Sequence, residues 1–177
     1  MIKVIFSLLF ISLCGLLNAQ EDAFKPFDFL LGIWQGTGSG FGNQHSTIQS
    51  SFNLVMNAAY IEVKNESYFD PTENKPEGEH HIDWGMISYD KSRKKIIFRQ
   101  FNSEGYVNRY VLNDALSKDS LLVFETENIE NFVEGGKARW TIRKLQMDEI
   151  ETIFDVSLPG RKYACFGTNK LVKEKSE

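Results

Sequence analysis

The chain has 177 residues and a formal net charge of −4, with 20 Lys and Arg interspersed among 24 Asp and Glu and no basic stripe. That balance excludes the clustered cations by which proteins hold nucleic acid or anionic lipid surfaces. Its two cysteines, Cys14 and Cys165, are too few for a disulfide framework, so the fold must be held by packing.

The first stretch, "MIKVIFSLLFISLCGLLNAQ", has the layout of a secretory signal peptide. A lone Lys3 precedes an apolar run from Val4 to Leu17, and a small residue follows at Ala19. The run is too short to span a bilayer comfortably, and cleavage after Ala19 leaves one soluble domain, residues 20–177, bound for a secreted or periplasmic location. Anchoring as a lipoprotein through Cys14 is disfavoured by the bulky Leu13 before it. Loss of Lys3 takes the charge to −5, and Cys165 remains as one thiol in an apolar stretch, which reads as an inert core thiol. No later apolar run is long enough to cross a membrane, and nothing in the pattern specifies an oligomeric state.

After the leader, "KPFDFLLG" has room for a turn or two of helix, placed to close one end of the domain. Thereafter apolar residues recur at every second position or in short β-branched and aromatic runs. Strands are predicted at residues 33–41, 44–55, 58–69, 80–89, 95–102, 105–113, 120–127, 137–146, 149–157 and 162–172. The connections, such as "YDKSRKK", "NSEGY", "VEGGK" and "LPGRK", are short and rich in turn formers, so sequence neighbours run antiparallel. The exception is "DPTENKPEGE", residues 70–79, an exposed and mobile loop. In "ARWTIRKL", Ala138, Trp140 and Ile142 share a face opposite Arg139, Thr141 and Arg143, which is the mark of a wall with one wet side. About ten such strands need their edges removed, and an all-β, single up-and-down antiparallel barrel with a short N-terminal helix does so. A barrel this wide holds one small ligand beside its own side chains.

The stretch "LLGIWQGTGSGFG" meets neither the dinucleotide fingerprint, whose glycines open a helix, nor the phosphate loop, which needs Gly-Lys-Ser or Gly-Lys-Thr. Its glycines Gly36, Gly38, Gly40 and Gly42 share one strand face with Trp34, so the strand bends there and another backbone, or a flat ligand, comes close. Trp34 reads as an end plug. The string Gly32-Ile33-Trp34-Gln35-Gly36-Thr37-Gly38 resembles the Gly-x-Trp-x-Gly-x-Gly signature of the nitrobindin-like β-barrels, members of the calycin group with the lipocalins and fatty-acid-binding proteins. "WGMISYDKSRKKIIFRQF" is similar to a strand-turn-strand of related secreted barrels of unknown function. The resemblance covers most of the mature chain in layout and these two stretches in motif. It implies a ten-stranded barrel with a central pocket and, in nitrobindins, a ferric haem that isomerises peroxynitrite to nitrate through an axial histidine near the last strand. Here the closing segment "YACFGTNKLVKE" has no histidine, and His45, His80 and His81 all lie in the first half. No ligand residue is therefore carried over, and haem as a cofactor would need a non-standard axial ligand such as His81.

Other chemistry has thinner support. "GEHHIDWG" puts His81 and Asp83 on one face of a strand, a weak candidate metal pair beside the plainer reading of a solvated strand end. No Gly-x-Ser-x-Gly elbow is present for hydrolysis, and Asn65-Glu66-Ser67 matches a glycosylation sequon. Polar residues inside apolar strands give a better lead: Arg99 in "IIFRQF", and Tyr106, Arg109 and Tyr110 in "GYVNRYVL". Pointing inward, the arginines would require an anionic partner such as a carboxylate or haem propionate; pointing outward, they cover the sheet with their stems. Candidate ligand-binding residues are thus Trp34, Gly36, Gly38, Arg99, Tyr106, Arg109 and Tyr110, with no catalytic residue assigned. The expected function is binding of a small, mostly apolar or amphipathic molecule without transforming it. The alternatives are a haem barrel handling reactive nitrogen species and a ligand-free envelope protein with a solid interior.

Overall fold

The computed structural model describes residues 23–40 and 45–175, so the signal-peptide stretch lies outside the described residues. A 3-10 helix, Lys25–Leu30, precedes β1 (Gly32–Ser39), β2 (His45–Val55), β3 (Tyr60–Phe69), β4 (Glu79–Asp90) and β5 (Lys95–Asn102). These are followed by β6 (Val107–Leu112), β7 (Leu121–Glu130), β8 (Lys137–Gln146), β9 (Glu149–Ser157) and β10 (Ala164–Lys173). Every strand pairs antiparallel with its sequence neighbours, and β1 closes on β10 with Trp34 opposite Lys173 and Ser39 opposite Thr168. The fold is the up-and-down barrel that the alternation and the short turns predict.

The turns follow from local chemistry. Between β4 and β5 the Asp90 carboxylate accepts from the backbone N–H groups of Ser92 and Arg93, each at 3.1 Å, which folds the chain back before Lys95. The stretch at residues 70–77 is exposed as expected, but it contains a hydrogen-bonded turn in which Thr72 and Lys75 exchange backbone bonds at 2.9 and 3.1 Å.

Two strands depart from simple alternation. Tyr110 lies opposite Thr126 while Arg109 lies opposite Asn128, so Glu127 is an extra residue in β7. The inward parity passes from Leu122 and Phe124 to Ile129, which is why the strand runs past the predicted end at 127. In β10 a similar shift falls between Cys165 and Gly167. Phe166 is the additional residue, and Cys165 is exposed rather than the core thiol its apolar surroundings suggest.

The helix plugs one end. Its Phe24, Phe27 and Leu30 recur every third residue, the period of a 3-10 helix, so one stacked face is buried in the barrel mouth. Pro26 fits the first turn, where no backbone donor is needed. Trp34 completes the plug, fully buried, its Nε1–H donating to the Leu30 carbonyl at 2.7 Å. Above it, an aromatic stack fills the interior to mid-height: Phe27 and Phe124 are 6.1 Å apart between ring centres, Phe98 lies 5.3 Å from Trp140, and Phe98 stacks on Tyr110 at 5.6 Å.

Two glycines let the strands coil round this stack. A Cβ at Gly36 would stand 1.9 Å from the Lys170 carbonyl oxygen, and one at Gly85 would stand 2.0 Å from that of Arg99. The obstruction is backbone in both cases, so relief requires the sheet to move. Gly36→Ala and Gly85→Ala are each expected to cost about 2–4 kcal/mol in urea unfolding, against less than about 1 kcal/mol for Gly167→Ala. The control is mild because a Cβ there has its nearest neighbour at 3.4 Å.

Candidate functional site

Beyond the aromatic stack the barrel is hollow. A cavity of about 480 Å³ opens at the end away from the plug, with Tyr110 and Trp140 among the rings that bound it. Ten strands enclose more volume than the core side chains occupy, and the remainder collects at the unplugged end.

Register makes its walls unlike each other. On β3 to β6 the inward positions are polar: Asn65 pairs across the ladder with Asp83, Asp83 with Asn102, and Gln100 with Asn108. The buried Asn108 amide donates to Gln100 Oε1 at 3.2 Å, fixing that pair. On β7 to β10 the lining is mainly apolar, with Ile129, Phe154, Val156 and Phe166 joined by Phe132 from the loop after β7. Tyr106 meets Phe132 edge to face at 5.4 Å across the rim.

Three ionisable groups distinguish the polar wall. Burial, reinforced by the charge of Glu104 and only partly offset by His81, pushes the Asp83 carboxyl up to about 7. Asp83 makes no side-chain hydrogen bond among the described residues. The Tyr110 hydroxyl is buried and finds no partner among the described residues; burial, with Asp83 and Tyr163 adding to it, pushes its pKa far up, so it stays a neutral phenol. His81 is held from both sides, Nε2 by Glu79 at 2.9 Å and Nδ1 by Glu104. Burial works against its cation, but the hydrogen bonds to Glu104 and Glu79 outweigh that and its pKa is raised.

Of the residues singled out in the sequence, Tyr106, Tyr110, His81 and Asp83 line the cavity. Trp34 lies in the plug, Gly36 sits against the backbone of β10, and Gly38 is not itself in the lining but lies beneath Asn169 and Ser46, which are. Arg99 and Arg109 face outward, Arg99 donating to Ser88 Oγ at 2.9 Å and Arg109 lying 3.6 Å from Glu127. The anionic head that an inward arginine would require therefore has no counterpart in the interior. Asn65 faces the cavity, which takes the sequon match off the outer surface. The lining residues not singled out, Asn65, Gln100 and Asn108, carry a signal that was available: polar side chains on the same parity as core residues such as Val63, Phe98 and Tyr110.

The donors present do not fit a haem held by histidine. His45 and His80 are exposed, His80 stacking on Tyr68 at 4.2 Å, and both nitrogens of His81 face carboxylates. No lysine or arginine lines the cavity among the described residues to meet propionates. Nor is any group of three or more His, Cys, Asp and Glu among the described residues arranged to hold a metal ion, so His81 and Asp83 gain no further ligands.

No family model matches this chain, and no curated protein matches it. Among solved structures it is similar to Rv2717c from M. tuberculosis, with a TM-score of 0.63 and 14% identity over 86% of this chain and 98% of that one. An S-type phycobiliprotein lyase, CPES, from Guillardia theta aligns with a TM-score of 0.48 and 14% identity, covering 89% of this chain and 94% of its own. A de novo designed fluorescence-activating β-barrel aligns at 0.43 and 12%, covering 82% and 94%. The first likeness shows the barrel fold.

Asp83 has a measurable signature. Its pKa is raised by folding, so its contribution to stability is intact below pH 4 and is lost as the pH rises through about 7. Asp83→Asn is expected to stabilise the protein at pH 8 by about 2 kcal/mol, less than the whole shift would convert to because the side chain keeps some solvent contact. The gain should vanish by pH 4. Urea unfolding of both proteins at the two pH values checks it, since titrating groups not coupled to Asp83 cancel in the difference.

Proposed function

We propose that the protein is a secreted or periplasmic carrier that takes a small, mostly apolar molecule into the open half of its barrel and releases it unchanged. The observation that carries this reading is the hollow of about 480 Å³ whose lining includes a buried tyrosine hydroxyl without a protein partner. A cavity of this size matches small-ligand sites, which are largely apolar with a few placed polar groups. A buried hydroxyl left unbonded costs about 1–3 kcal/mol, and a ligand atom meeting it removes that cost. The ring-lined wall suits the ligand's apolar body and the amide-lined wall its polar end. The same hollow weighs against a ligand-free envelope protein with a solid interior. The export part rests on the leader sequence, with its apolar run and Ala19.

Titration with the neutral fluorophore N-phenyl-1-naphthylamine is expected to give saturable, blue-shifted emission. Filling the hollow by Thr152→Trp, or narrowing its rim by Ser67→Trp, should weaken that binding about tenfold or more, the loss of roughly 1.4 kcal/mol. Wild-type protein that gives no saturable emission would count against the carrier. The export reading is checked separately: protein recovered from the periplasm or medium of a bacterium expressing the full chain should begin at Gln20.

A further inference from the structure

The cavity's charges narrow the chemistry of its occupant, an argument that rests on the carrier reading above. No lysine or arginine lines the cavity among the described residues, while Asp83 and Glu104 both do. The one basic side chain there, His81, is already held by Glu79 and Glu104. A carboxylate, sulfonate or phosphate on the ligand would enter a field of its own sign with no fixed cation to meet it, and burying an unpaired charge is costly.

Two polar groups that no described side chain bonds lie in the same lining, a half-buried carboxyl and a buried phenol. Asp83 has no hydrogen-bonding side chain against it, and Tyr110, wholly buried and without a partner, is close enough to feel the charge of Asp83. The ionised carboxylate only accepts hydrogen bonds, and the phenol accepts one as well as donating its own O–H. Among the described residues the facing elements add no further charge: β3 presents Asn65 and Ser67, β5 Gln100 and Asn102, and the far wall Trp140, Thr152 and Phe154. A protonated nitrogen with two or more N–H donors satisfies the carboxylate by a charge-assisted bond and the phenol oxygen by a second, while the rings nearby favour a cation over their faces.

We propose that the ligand's polar head is an organic ammonium group, a primary or secondary amine on an aromatic or aliphatic frame, seated against Asp83 and Tyr110. Asp83 must be ionised to hold it. Binding below pH 7 therefore releases a proton from Asp83, and binding above pH 7 does not.

Three indoles of similar shape test this by calorimetry on the full chain: tryptamine, neutral tryptophol and anionic indole-3-propionate. Tryptamine is expected to bind at pH 8 about tenfold or more tightly than either of the others, and to weaken about tenfold at pH 5.5 as Asp83 takes up its proton. Near pH 6 the apparent heat should vary with the buffer's ionisation heat, reporting the released proton. Asp83→Asn should lower tryptamine affinity about tenfold while tryptophol stays within about twofold, and whatever pH dependence survives in that variant reports His81. Glu104→Gln, which removes a carboxylate from the lining and one partner of His81, should weaken tryptamine at pH 8 in the same direction. Equal or tighter binding of tryptophol or indole-3-propionate, or an unchanged tryptamine affinity in Asp83→Asn, overturns the ammonium assignment. If N-phenyl-1-naphthylamine binds saturably and none of the indoles does, the assignment falls and the carrier stands; if nothing binds, both fall.

Discussion

The structure depends on the pairing of β1 with β10. That ladder removes the last two open edges and forces ten strands into a closed ring, which sets the interior volume before any side chain is chosen. The ring is wider than its core residues can fill. Phe24, Phe27, Leu30 and Trp34 seal one end, and the stack from Phe27 through Phe124, Phe98 and Trp140 to Tyr110 takes up the middle. What remains empty lies at the other end. The hollow is thus a consequence of closure and of where the large aromatics were placed.

Stability and binding pull apart at the polar wall. An interior built only for folding would place apolar side chains at 65, 83, 100 and 108, which share faces with Val63, Ile87, Phe98 and Tyr110. The chain instead places there two amides in a mutual bond and an acid, beside a phenol, that no described side chain bonds. Residues that weaken the folded state while facing an open cavity are better explained by an occupant than by the fold. On the outside the same alternation serves a different end, as with Arg139 and Asp155, directly opposed on β8 and β9 and bonded at 2.8 and 3.0 Å.

Much of the fold was legible because its signals are local. Alternation marked all ten strands, and Asp90 and the glycines of the turns marked where the chain reverses. The bulges at Glu127 and Phe166 were not legible. Each adds one residue and swaps the inward and outward faces beyond it, and neither insertion changes local composition. That swap exposes Cys165 and turns Ile129 into the cavity. Tyr106 and Tyr110 were picked out as polar groups in apolar strands. Gln100 and Asn108, which share the lining with them, were passed over because uncharged amides draw less notice than arginines.

By itself, then, the sequence determined the class of fold, the order and approximate ends of its strands, and the role of Trp34 as a plug, since each rests on contacts between near neighbours or on a period within one segment. Only the tertiary structure decided that Arg99 and Arg109 face outward, that Asp83, Glu104 and Tyr110 share one lining, and that no lysine or arginine among the described residues joins them there. Alternation separates two faces of a strand without saying which is inside. That choice is made when distant strands join and one face of every strand must turn to a common axis.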